Sequence, residues 1–130
     1  MRFLLDVNVL IALGVTQHQF HQRVVDWVRS QRGAVFLTSS MTEIGFVRVI
    51  ASVAMYDLNV LQAKRLLLEM KKNTRQQLVF LADANDISLL PMWVNKPKQT
   101  TDGHLLQLAS VHGAVLATLD EGIPGAYLIP

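Results

Sequence analysis

Residues 3–13 read FLLDVNVLIAL, and nine of these eleven positions are apolar. Arg2–Leu5 has the composition of a short buried strand, and Asn8–Leu13 that of a short core helix ending at Gly14. Asp6 stands where one passes into the other. A buried carboxylate is costly unless it is paired or bound to a cation. Its apolar neighbours leave Asp6 no simple structural role, which makes it a candidate metal ligand.

Working outward, the same alternation of strand and helix repeats. His18–Arg32 is amphipathic, with Phe20, Val24, Trp27 and Val28 at helical spacing and Gly33 as its stop. Ala34–Thr38 (AVFLT) reads as a second strand and Ser40–Ser52 as a helix. Asp57-Leu58-Asn59 forms a turn and cap before a helix over Val60–Lys72. Leu78–Ala82 is either a strand or the lead into another helix. Thr101–His112 is a helix closed by Gly113, and Ala114–Leu119 and Ala126–Ile129 are strands. Short apolar strands alternating with helices predict an α/β domain, its mostly parallel sheet covered by helices on both faces. The 130 residues suit one such domain, 1–130, with a real core.

Composition narrows the chemistry. Half of the chain is apolar and 17% is charged, so a globular fold is expected and disorder is not. There are no cysteines, which excludes disulfides, thiolate metal sites and a cysteine nucleophile and fits a cytoplasmic setting. No run approaches a membrane span, and Asp6 interrupts any signal-like apolar stretch. The net charge of +2 and pI near 9.2 permit a polyanionic partner. Lys64, Arg65, Lys71, Lys72 and Arg75 cluster in one stretch, and Lys96 and Lys98 flank Pro97. The plain reading of both groups is solvated surface.

Four of the ten acids share one address. Asp6 follows a strand, Glu43 opens the helix after the second strand, Asp102 opens the helix over 101–112, and Asp120 follows the strand VLATL. In a parallel sheet, strand carboxyl ends and the amino ends of the helices that follow lie at one edge, where ligands bind. Each acid but Asp6 also has a structural reading: Glu43 in a capping box with Ser40, Asp102 as a helix cap, Asp120 as a turn residue before Glu121-Gly122. Together, however, four carboxylates repel, and a hard divalent cation such as Mg²⁺ or Mn²⁺ removes that cost. The chemistry this suits is hydrolysis of phosphate esters.

The ordered fragments DVNVLIAL (6–13), TEIGFVRVI (42–50) and QTTDGHLLQLASVHGAVLATLD (99–120) carry a family likeness. The chain resembles PIN-domain ribonucleases, specifically VapC-type toxins of bacterial toxin–antitoxin pairs, from Met1 to about Ile123. The resemblance implies a PIN-like fold with a five-stranded sheet and Mg²⁺- or Mn²⁺-dependent endoribonuclease activity on RNA such as tRNA or rRNA. It also implies a homodimer and inhibition by a cognate antitoxin. It maps the acidic set onto Asp6, Glu43, Asp102 and Asp120, with Asp6 and Asp102 expected to hold the main ion. Asn8 and Thr118 would orient ligands or waters. Arg48 matches an arginine common in this subgroup but lies about 140° around its helix from Glu43. Gly103, after Asp102, departs from the pattern and is expected to loosen the first helical turn.

Other signals are weaker. ADANDIS (82–88) has alternating oxygens but lacks the glycine of a calcium loop. His18 and His21 share a helix face without a third zinc ligand. Trp93, beside Lys96 and Lys98, reads as core before it reads as a base-stacking platform. Arg48, Lys96 and Lys98 are candidate RNA contacts. No side chain is an evident general base, so metal-activated water is the expected nucleophile. A nuclease of structured DNA and a non-catalytic module binding RNA or an antitoxin are the alternatives.

Overall fold

The computed structural model describes residues 1–73 and 77–130; Arg75, counted in the basic stretch above, lies outside the described residues. Five strands form one sheet: β1 (Arg2–Leu5), β2 (Val35–Thr38), β3 (Leu78–Phe80), β4 (Val115–Thr118) and β5 (Tyr127–Leu128). Their order is β3-β2-β1-β4-β5. The sheet, expected to be mostly parallel, is parallel at every pairing. Leu4 of β1 lies opposite both Leu37 of β2 and Leu116 of β4, so these three strands end together. The ambiguous run at 78–82 resolves as a strand, Phe36–Thr38 pairing with Leu78–Phe80.

Alternation along each strand feeds two cores. Phe3, Leu5, Phe36 and Ala117 enter the larger one, with α1 (Val7–Gly14), α2 (His21–Ser30), α3 (Ser40–Ser52) and α4 (Val60–Lys72). Leu4, Leu37 and Leu116 enter a smaller one beneath α5 (Thr100–Val111), against Leu105, Leu108 and Ala109. Burial on both faces is why the strands read as continuous apolar runs. Within the larger core Phe3, Trp27, Phe36 and Tyr127 pack ring against ring, and the Trp27 indole donates to the Tyr127 hydroxyl at 3.2 Å.

Two local expectations change and one holds. α2 starts at His21 rather than His18, because the His18 ring accepts the Phe20 amide at 3.0 Å and holds a turn there. At α4 the turn stands as read: Asp57 adopts a left-handed conformation (φ 51°), and Asn59 and Gln62 form a reciprocal cap. Gly103 does not loosen α5. It is buried, and a side chain there would strike Val94; the missing Cβ lets the first turn of α5 seat against residues 90–94. Among the described residues no helix is long and apolar enough to cross a membrane.

Candidate active site

The chain runs outward from β1 to β2 and β3, then crosses back to lay β4 on the other side of β1. The connections therefore part company between β1 and β4, and such a switch point leaves a crevice beyond the strand ends. Asp6 and Asp120 flank it. The Asp6 amide donates to the Ala117 carbonyl at 3.0 Å, extending the β1–β4 ladder by one rung.

Thr118, the last residue of β4 and fully buried, organises this crevice. Its hydroxyl donates to Asp6 Oδ2 at 2.7 Å and accepts the Asp120 amide at 3.0 Å and the Asn8 side-chain amide at 3.3 Å. The Asn8 Oδ1 in turn accepts the Leu119 amide at 3.2 Å. Asp6 has a structural role after all: its Oδ1 accepts the Val7 amide at 2.8 Å and caps α1. The residue as a whole is only 6% exposed. Burial raises its pKa; the Thr118 and Val7 hydrogen bonds pull it back, and the nearby Asp120 charge adds to the rise.

Asp102 lies in the first turn of α5. It is raised as well, first by burial and then by the charges of Asp6 and Asp120. Asp102 thus feels the charges of Asp6 and Asp120, and Asp6 that of Asp120. Asp120 keeps its turn role too, its Oδ1 accepting the Gly122 amide at 2.8 Å. Asp102 does not cap its helix, which begins at Thr100. Among the described residues the ion pairs are Lys71–Glu43, Lys72–Glu69 and His104–Asp83, and none reaches Asp6, Asp102 or Asp120.

Glu43 sits one strand over. Its Oε2 accepts the Thr38 hydroxyl at 2.6 Å and the Lys71 ammonium at 2.7 Å. The cap expected from Ser40 and Glu43 is shifted by one residue: Ser39 is the cap and exchanges hydrogen bonds with Thr42. The chain stays extended through Ser39 (φ −132°), and Glu43 is thereby released for Thr38 and Lys71. Thr38 and Lys71 are absent from the sequence-derived set. Thr38 had a signal, since VFLT and VLAT both end a strand with threonine ahead of an acid, five residues before Glu43 and two before Asp120. Lys71 had none short of the packing of α3 on α4.

The other candidates disperse. Arg48 is exposed on α3, rimming an apolar groove with Ile44, Val47, Val60 and Lys64. Lys96 and Lys98 are exposed in and beside the 3-10 turn Pro97–Gln99 that leads into α5, a few residues before Asp102. Trp93 packs half-buried against the smaller core, as its plain reading had it. His21 Nδ1 is engaged with the Ala12 carbonyl at 2.7 Å and His18 Nδ1 with the Phe20 amide at 3.0 Å, and among the described residues no third ligand joins the two rings. In ADANDIS, Asp83 accepts the Asn85 amide and pairs with His104, so its oxygens serve the fold.

A donor set made only of carboxylates, with two members pushed toward protonation, matches a hard divalent cation. Among the described residues no three acidic, histidine or cysteine side chains already stand together at ligand separation.

No protein-family model matches the chain. It is 36% identical to Ribonuclease VapC38 of Mycobacterium tuberculosis (strain H37Rv), an alignment covering 92% of this chain and 86% of the relative. It is likewise 36% identical to Ribonuclease VapC44 of that species, over 97% of this chain and 94% of the relative. Among solved structures, VapBC2 from Rickettsia felis bound to a DNA fragment from its promoter shares the fold. The TM-score is 0.62 at 13% identity, over 98% of this chain and 97% of the other.

Proposed function

Because the chain belongs to the VapC ribonucleases, we propose that it is a Mg²⁺- or Mn²⁺-dependent endoribonuclease, the toxin of a toxin–antitoxin pair. Its site is the cluster of Asp6, Asp102 and Asp120, with Glu43 beside it. The observation that carries this reading is the pair of carboxylates at the switch point, Asp6 and Asp102, both raised by burial and by the charges of neighbouring acids of the set, which no described ion pair neutralises. A divalent ion bound there supplies Lewis-acid polarisation of the phosphodiester and a lowered pKa for water.

The chain's own residues prepare that site. Thr118 fixes the Asp6 carboxylate through Oδ2 and Val7 fixes it through Oδ1, so Asp6 keeps one orientation. Asn8 ties the start of α1 to the end of β4 and keeps Thr118 and Asp120 in register with Asp6. Thr38 does for Glu43 what Thr118 does for Asp6. His104, two residues beyond Asp102, pairs through Nε2 with Asp83. The same reading gives the chain a cognate antitoxin, a homodimeric state and a cytoplasmic setting.

The test is cleavage by the purified, antitoxin-free chain. RNA should be cut internally with Mg²⁺ and left intact in chelator, and DNA of matched sequence should be spared. Asp6→Asn and Asp102→Asn should lose cleavage while keeping a folded circular dichroism spectrum. Cleavage in chelator, or wild-type rates from both variants, would overturn the assignment.

A further inference from the structure

A cluster of carboxylates repels the polyanion it is meant to cut. Among the described ion pairs, one brings a cation to this edge: Lys71, in the last turn of α4, on Glu43 at 2.7 Å. The same ammonium stands over the Phe80 ring, 5.4 Å from its centroid. Phe80 ends β3 and is the register partner of Thr38, the residue that holds Glu43. The ring is on the edge strand and 48% exposed, where burial would have been the usual fate of a phenyl group. An acid of the site, a cation and an open aromatic ring thus meet at the carboxyl ends of β2 and β3. Covering the strand would ask only for an aliphatic side chain. A half-exposed ring with an ammonium over it offers what single-stranded nucleic acid uses: an aromatic surface on which a base can stack and a cation with which a phosphate can pair.

We propose that Phe80 and Lys71 form a nucleotide subsite for single-stranded RNA beside the carboxylate cluster, the base stacking on the Phe80 ring and its phosphate pairing with the Lys71 ammonium. The proposal rests on the endoribonuclease reading and deepens it. It gives the substrate a direction of approach, over β3 toward β1 and β4. It also gives Lys71 two partners, Glu43 in the free chain and a phosphate in the complex.

Binding can be read without cleavage, using a labelled random-sequence single-stranded RNA 10-mer with Ca²⁺ in place of Mg²⁺. Phe80→Leu keeps apolar cover but loses the π-face; it should weaken binding about tenfold and leave the salt dependence unchanged. Phe80→Tyr should bind as the wild type does. Lys71→Gln should weaken binding and reduce the slope of log affinity against log salt by about 0.7, the loss of one phosphate contact, and Lys71→Arg should restore it. Phe80→Leu and Lys71→Gln curves that both overlie the wild type would overturn the subsite, leaving the pair as strand cover or as a surface for a protein partner. A wild-type chain that neither binds nor cuts RNA would overturn the subsite together with the activity it rests on.

Discussion

Thr118 shows how much of a site can hang on one hydroxyl. It is fully buried, touches three neighbours and holds the Asp6 carboxylate. Thr118→Val keeps the shape and removes the donor, leaving a buried carboxylate oxygen unsatisfied. Denaturant unfolding should show a loss of about 1–3 kcal/mol. Asp102 poses the opposite case. In chelator, Asp6 and Asp102 both titrate above the ordinary carboxylate value. Between that value and their raised ones the folded chain holds protons the unfolded chain has released. Stability therefore falls as pH rises through that interval and stays reduced above it. Asp102→Asn removes one of the two groups, so it should flatten this dependence and melt at or above the wild type near pH 7, although most substitutions destabilise. A variant melting well below the wild type, with the pH dependence unaltered, would count against the cluster. Asp6→Asn is a poorer probe, because an amide facing Thr118 would upset a hydroxyl that already accepts two N–H groups.

At the scale of elements, the start of α3 separates what the sequence states from what only packing decides. Ser39 and Ser40 both precede a plausible capping partner, Thr42 or Glu43. The choice falls to Ser39 because β2 stays extended to its end, the Thr38 carbonyl accepting the Leu81 amide at 2.7 Å. Ser39→Ala should therefore cost about 0.5–2 kcal/mol. Glu43→Gln, which leaves the cap alone and loses only a partly exposed ion pair, should cost at most about 1 kcal/mol. Equilibrium unfolding of the two variants side by side tests the assignment, and the reverse order of costs would refute it. The strands were legible as apolar runs, and the helices as periodic ones. β3 was not, being three residues long with two of them exposed. The start of α2 was hidden because a histidine ring supplies a turn that hydrophobic spacing does not register.

For the whole molecule, position along the chain was enough to send Asp6, Asp102 and Asp120 toward one edge, since a parallel sheet sends strand ends there. It did not foresee that Glu43 would be met by Lys71, twenty-eight residues away. That pairing depends on how two helices pack, which no local pattern encodes. The division of the interior into two cores has a further consequence. Asp6 and Asp120 are anchored to the sheet, whereas Asp102 rides on α5, whose apolar contacts lie in the smaller core. The layers of a fold open separately, and the less buried layer opens more often. The proposed site should then come apart by the lifting of one helix while the rest stays native. Mg²⁺ shared between Asp102 and the sheet would rivet that helix down, because an ion that binds only the closed form penalises each opening. Amide hydrogen exchange followed with and without Mg²⁺ should slow across α5 far more than across α3, and the Asp102→Asn chain should show no such difference. Seen this way, the proposed ion would be a structural latch before it is a reagent, and its departure would leave a folded protein with its chemistry ajar.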